Sequence, residues 1–438
     1  MSLLDLSVFA QRRRQLMAQL PADSIALVAS ANLQPRNSDV DYAFRQDSDF
    51  YYLTGFDEPE ALLVLVPDEE GGKSVLFCRD RDVEMEIWHG RRAGPEGAVA
   101  NYGFDEAFAN EDLDDQLLMR MADKDAVYYA LANETLDAHV SEWLSALRQK
   151  ARAGISAPEK LVMLDSLLHE MRLFKSEDEA QLMRQAGEIS AQAHIKAMQA
   201  SAPGVMEYQL EAAITHHFMM NGCRQAAYPS IVGGGDNACI LHYTENNQAL
   251  NDGDLVLIDA GCELDYYAGD ITRTFPVNGK FTQPQADIYQ LVLDVQHACI
   301  EAIKPGVLWD DIHQVSVRGL TEGLVKLGLL KGDVSELIES GAYRDFYMHR
   351  IGHWLGMDVH DVGRYKVNGD WRPLEPGMVM TVEPGIYVSP TNMDVDEKWR
   401  GIGVRIEDDV LINEQGCEVL TASVPKEIKD IEALMAKA

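Results

Sequence analysis

Leu250-Asn251-Asp252-Gly253-Asp254-Leu255-Val256-Leu257-Ile258-Asp259-Ala260-Gly261 returns 124 positions later as Leu374-Glu375-Pro376-Gly377-Met378-Val379-Met380-Thr381-Val382-Glu383-Pro384-Gly385. A leucine, a glycine, a strand-length apolar run, an acid and a closing glycine recur in register. Two copies are too few for a solenoid, which needs at least about three. They imply two related halves folded around one shared site, an internal pseudo-two-fold repeat.

Each copy ends an apolar strand on a carboxylate, and each is followed by a second strand bearing another. Residues 254–263 and 266–275 read as an antiparallel pair turning at Leu264-Asp265, which sets Asp259 opposite Asp270. Residues 379–388 and 401–412 pair across a longer loop and set Glu383 opposite Glu407. Opposed side chains in such pairs have Cβ atoms roughly 5 Å apart. Four gathered carboxylates repel one another, and their ionised forms are costly unless cations lie between them. Oxygen ligands suit Mn²⁺ or Mg²⁺, and an added imidazole tilts the choice toward Mn, Co or Zn. Two such ions roughly 3.5–4 Å apart form a hydrolytic arrangement.

The imidazole comes from Tyr347-Met348-His349-Arg350-Ile351-Gly352-His353-Trp354-Leu355-Gly356-Met357-Asp358-Val359-His360-Asp361, where three histidines fall within twelve residues. Gly352 and Gly356 there permit close backbone approach. His242, in Leu241-His242-Tyr243-Thr244, precedes the first acid strand. His194, His216, His217 and His297 read as structural. His169-Glu170-Met171-Arg172-Leu173 starts like HExxH but ends on leucine, which excludes that zinc motif. Gly233-Gly234-Gly235-Asp236 lacks the Lys-Ser/Thr of a phosphate loop.

Around this centre, 438 residues provide for about two domains. Short apolar strands at 24–30, 61–67, 74–78 and 126–131 alternate with helical patterns near 8–20, 106–122 and 134–150, which reads as an α/β domain. Ser176-Glu177-Asp178-Glu179 forms a capping box opening a helix to about Ala200, before Pro203-Gly204. The expected domains are therefore 1–174 and 175–438. A formal charge of −33 argues against nucleic acid and anionic membrane as partners. No run approaches the ~18 apolar residues of a membrane span. Six scattered cysteines without a CxxC pair point to a reducing, cytoplasmic compartment.

His353-Trp354-Leu355-Gly356-Met357-Asp358-Val359-His360-Asp361, taken with Asp259, Asp270, Glu383 and Glu407, resembles the pita-bread-fold metallopeptidase family, and within it the aminopeptidase P group. The likeness spans nearly the whole chain. It includes Tyr42-Ala43-Phe44-Arg45-Gln46-Asp47-Ser48-Asp49-Phe50-Tyr51-Tyr52-Leu53-Thr54-Gly55-Phe56 and His169-Glu170-Met171-Arg172-Leu173-Phe174-Lys175-Ser176. The resemblance implies an N-terminal α/β domain followed by an α+β pita-bread catalytic domain. It implies an aminopeptidase that removes a residue preceding proline in oligopeptides, with two divalent ions per chain, most often manganese. Asp259 is then a ligand of one ion, His353 and Glu383 of the other, and Asp270 and Glu407 of both. His242, His349 and His360 bind substrate and stabilise the developing oxyanion. Glu383 also handles protons of the attacking water. Arg405, two residues before Glu407 on the same strand face, orients a ligand carboxylate.

Asp39, Trp88 and Tyr387 resemble positions that shape the substrate mouth, to which relatives contribute residues from a neighbouring subunit. A homo-oligomer, dimer or tetramer, is expected on that basis. Arg350 stands where a small residue is common, a departure that bears on substrate preference. Two alternatives share the fold: a prolidase confined to Xaa-Pro dipeptides, and a metal-free binding scaffold, against which the intact ligand set argues.

Overall fold

The computed structural model describes residues 3–437, so the outermost residues of the two expected domains lie outside it. The chain divides into two compact units, Met1–Arg172 and Leu173–Ala438.

The first unit is built on a six-stranded mixed sheet. Its strands run, in spatial order, Glu106–Ala109, Lys73–Cys78, Leu62–Val66, Ser24–Ala29, Ala126–Tyr129 and Lys160–Met163. The central strand Ser24–Ala29 is antiparallel to Leu62–Val66 and parallel to Ala126–Tyr129. Ile25, Leu27, Val64 and Phe77 pack with Leu136, Val140 and Trp143 of the helix Glu134–Gln149. Strands covered by helices have no solvent face, so they read as unbroken apolar runs. The helical pattern near 106–122 needs correction. Glu106–Ala109 is an edge strand, and the helix begins only at Leu113, after a 3₁₀ turn. Parallel pairing of Val75 with Glu106 and Cys78 with Ala109 overrides the local helical spacing.

The second unit repeats one plan twice. Helices Glu177–Ala200 and Glu207–Met220 precede the three-stranded sheet of Ile231–Gly234, Leu255–Asp259 and Thr272–Pro276. Helices Gln283–Ala302 and Trp309–Leu327 precede the sheet of Val379–Val382, Asp408–Asn413 and Gly416–Val419. The capping box that opens Glu177–Ala200 is fully formed. The Glu179 N–H donates to Ser176 Oγ at 3.4 Å, and the Ser176 N–H donates to Glu179 Oε2 at 2.9 Å.

The register of the second acid pair follows the symmetric reading. Val382 faces Asp408 and Gly385 faces Arg405, so Glu383 and Glu407 fall between them in one continuous register. The first pair is shifted by two. Asp259 lies opposite Thr272, not Asp270, and Leu264 pairs with Tyr267. The turn is therefore at Asp265-Tyr266, both at positive φ (47° and 73°). A two-residue turn of that kind matches strand twist, yet tyrosine gives no sequence signal for it. Because strand side chains alternate with period two, the shift keeps Asp270 on the face of Asp259, as its diagonal neighbour.

The halves are locked where 270–274 meets 405–409. The Glu407 N–H donates to Thr272 O at 3.1 Å, and the Asp270 N–H to Asp409 Oδ2 at 2.9 Å. Behind this seam lies the fully buried Arg273. It donates to Glu407 O at 2.6 Å and Thr272 O at 3.0 Å, and pairs with Asp408 at 2.7 Å. Burial alone raises a carboxyl pKa, but Arg273 and Lys426 hold Asp408 well below the usual range. Removing one partner of a buried pair leaves an uncompensated charge, costing about 3–5 kcal/mol. Arg273→Met is expected to lose about that much stability, while Arg318→Met, whose side chain is 62% exposed, changes little. Urea unfolding of both variants at one pH measures the difference.

Candidate active site

Both acid strands end at a cavity of about 730 Å³. Its wall carries Asp259, Asp270, His353, Glu383 and Glu407, together with His242, His349, His360 and Arg405. Tyr387 stands behind His349 and Arg405, with its hydroxyl 2.9 Å from His349 Nε2 and 3.1 Å from Arg405 Nη1. Asp39 and Trp88 belong to the N-terminal unit. Asp39 is exposed in the hairpin turn between Pro35–Asn37 and Val40–Asp41, and Trp88 is exposed on the helix Val83–His89.

Local backbone packing puts His353 among the acids. The segment 351–353 runs beside the second acid strand, with Thr381 N–H donating to His353 O at 2.9 Å and Glu383 N–H to Ile351 O at 2.8 Å. A Cβ on Gly352 would sit 2.0 Å from Thr381 O, so only glycine permits this approach. The closing glycine of the first copy has the same role, since a Cβ on Gly261 would meet Gly269 O at 1.6 Å. His353 Nδ1 lies 2.9 Å from Trp354 O, which fixes the proton there and leaves Nε2 toward the acids. Nε2 is 3.4 Å from Asp270 Oδ2 and 3.7 Å from Glu383 Oε1.

Other side chains hold the carboxylates in place. The Tyr228 hydroxyl sits 2.6 Å from Asp259 Oδ1 and 2.5 Å from Asp270 Oδ1. Arg405 donates to Asp259 Oδ2 at 2.6 Å. Thr272 donates to Glu407 at 2.6 Å and Thr381 to Glu383 at 3.3 Å. None of Tyr228, Thr272, Thr381 or Asp409 stands out in the sequence. Tyr228 follows two alanines in no recognisable pattern, and only the fold brings it to residues 31 and 42 positions away.

The electrostatics are those of a cation site. Burial raises the Asp270 carboxyl, with Asp259 adding to it against His353. Burial lifts Glu383 to about 7, with His353 and Arg405 opposing and the other acids adding. Glu407 is pushed well above the usual range by burial and by Asp270, Glu383 and Asp259. Burial works against the charged form of His353, yet Asp270 and Glu383 hold it up at about 9. The donor atoms of Asp270, His353 and Glu407 all lie within 4.8 Å of one another. Mutually repelling oxygens around one imidazole fit divalent ions, which relieve the repulsion that otherwise holds protons there.

A second trio, Asp49, Asp165 and His169, lies in the N-terminal unit. Arg172 is already 2.7 Å from Asp49, with His169 at 3.1 Å, so Asp49 has cationic partners within the protein.

Residues 181–414 match the model of metallopeptidase family M24, and residues 9–128 that of the aminopeptidase P N-terminal domain. The chain is 49% identical to the Xaa-Pro aminopeptidase of Escherichia coli, covering 100% of this chain and 99% of that one. It superposes on the aminopeptidase PepP of Pseudomonas aeruginosa with a TM-score of 0.98 at 55% identity, covering 100% and 99% of the two chains. The E. coli aminopeptidase P structure with the inhibitor Pro-Leu gives a TM-score of 0.96 at 49% identity, covering 99% of each chain.

Proposed function

The chain belongs to metallopeptidase family M24, and from that premise we propose that it hydrolyses the bond between an N-terminal residue and a following proline. It is an Xaa-Pro aminopeptidase, a metallo-exopeptidase with an aminopeptidase P N-terminal domain and a pita-bread catalytic domain. The observation that carries the reading is the nest of four carboxylates and His353 on the cavity wall, with Asp259, Asp270 and Glu407 buried and Glu383 and His353 half-buried.

We assign Asp259 to one ion, His353 and Glu383 to a second, and Asp270 and Glu407 to both, with manganese as the proposed ion among the Mn, Co or Zn that an oxygen-rich set with one imidazole suits. When bound, such a pair polarises a scissile carbonyl and acidifies water. Glu383, on the cavity wall, is placed to accept a proton from the attacking water and pass it to the leaving proline nitrogen. His242 and His360 are exposed on the cavity wall, where they donate to a developing oxyanion. His349 is held differently. Its Nδ1–H donates to Arg350 O at 2.8 Å and its Nε2 accepts from Tyr387, so a substrate that engages Nε2 must displace the tyrosine. Burial and Arg405 keep His349 neutral, at about 3.

Peptide substrates with proline second are the proposed partners. Asp39 and Trp88 are proposed to shape the mouth in a homo-oligomer, dimer or tetramer. An apolar strip of Val83, Ile87 and Trp88, each more than 70% exposed, supports self-association. Six free thiols support a cytoplasmic setting, and among the described residues no helix is long and apolar enough to cross a membrane. X-Pro-X peptides of graded length, assayed with Mn²⁺ restored after chelation, test the function. Cleavage of tripeptides and longer peptides is expected. Activity confined to Xaa-Pro dipeptides assigns a prolidase instead.

A further inference from the structure

Beside the main cavity lies a smaller one of about 250 Å³, and His349 and Arg350 line both. The side pocket is bounded further by His313, Arg344 and Tyr347. Two guanidiniums and two imidazoles thus face one small space, in a chain whose net charge is −33.

Their partners are unequal. Arg350 pairs with Asp310 at 2.5 Å and stacks on Trp371, its centre 4.9 Å from the ring. Asp310 offsets much of that charge. Arg344 is exposed, its guanidinium centre 5.9 Å from the centroid of the Tyr343 ring it lies over, with no ion pair among the described residues. His313 is 5% exposed, and its Nδ1 is buried without a hydrogen-bond partner. Burial first, then Arg350, pushes His313 down to about 4, so it is a neutral ring offering one N–H. An unpartnered buried polar atom costs stability unless something satisfies it.

We propose that this side pocket is a subsite for a carboxylate carried by the peptide downstream of proline, bound by Arg344 and Arg350, with the His313 ring on its wall. The inference rests on the aminopeptidase reading above. An aminopeptidase admits a single residue on the N-terminal side of the scissile bond, and that residue carries an ammonium, which two guanidiniums repel. The anion that reaches the pocket therefore belongs to the leaving side. In a short peptide it is the C-terminal carboxylate, and in a longer one an acidic side chain. His349 and Arg350 line both cavities, so the side pocket adjoins the main one. The pocket also offsets the repulsion that so acidic a protein exerts on acidic peptides.

Four peptides separate the sources: Ala-Pro-Ala against its C-terminal amide, and Ala-Pro-Glu-amide against Ala-Pro-Gln-amide. Charge-assisted hydrogen bonds predict a preference of roughly tenfold in kcat/KM for the anionic member of at least one pair, expressed mainly in KM. The preference should shrink as salt rises. Arg344→Gln and Arg350→Gln should each bring the ratio toward one, and Arg344, being exposed, is replaceable without endangering the fold. Equal rates within both pairs in the unmutated enzyme overturn the subsite while leaving the aminopeptidase intact. So does a preference that both variants retain. Failure to cleave any of the four overturns the functional reading, and the subsite with it.

Discussion

Asp270→Ala is expected to lower kcat/KM by about a thousandfold or more, with the protein still folded. A site ion stabilises the transition state by several kcal/mol, and each 1.36 kcal/mol is tenfold in rate. The proposed role of Asp270 on both ions makes its loss larger than that of a residue that only positions a ligand, which costs about 10–100-fold. The variant should also bind fewer than two metal equivalents by elemental analysis. The fold should survive because the substitution removes a carboxylate that its buried neighbours already push toward the protonated form. The backbone N–H at position 270 still donates to Asp409 in this variant, so the seam between the halves is retained. Unchanged activity in folded Asp270→Ala would remove this residue from the reaction centre.

Chelation should abolish turnover to a similar degree, and Mn²⁺ should restore it. The more informative readout is stability against pH. Glu383 ionises near 4.5 when unfolded and at about 7 in the folded, metal-free protein. Stability is therefore full below pH 4.5 and falls as pH rises to 7, by about 3 kcal/mol. His353 rises from 6.5 to about 9 in the same state. Its contribution is complete below pH 6.5 and is lost as pH rises through 9. The two slopes have the same sign, so chelated protein should weaken steadily from pH 5 to 9. Metal-loaded protein should not weaken over that range, since ions replace the protons, and holding His353 as a neutral ligand makes its stability rise toward pH 7. At a thousandfold excess over Kd, binding adds about 4 kcal/mol. Thermal melts of both forms across pH measure it, and parallel profiles would refute the nest as a cation site.

Much of this centre is legible in the chain. The repeat ending on Asp259 and Glu383 gives the halves, and the register of Glu383 with Glu407 follows from strand symmetry alone. The glycine at 352 announces a close approach, which the fold realises against Thr381. What stays hidden is whatever depends on contacts distant in sequence. The two-residue shift of the first ribbon originates in a tyrosine at positive φ, which no local preference favours. The strand Glu106–Ala109 forms only because Lys73–Cys78 offers it an edge. Tyr228 matters through two acids far along the chain, and the side pocket through His313, which only the fold brings beside Arg344 and Arg350.

The seam between the halves has a consequence during biosynthesis. Donors from the earlier half reach the ribosome exit long before Glu383 and Glu407 do, and Glu407 itself is anchored on Thr272 across the seam. A growing polypeptide therefore lacks part of the proposed set of ion-holding groups, and is expected to gain activity only once its last strands have docked.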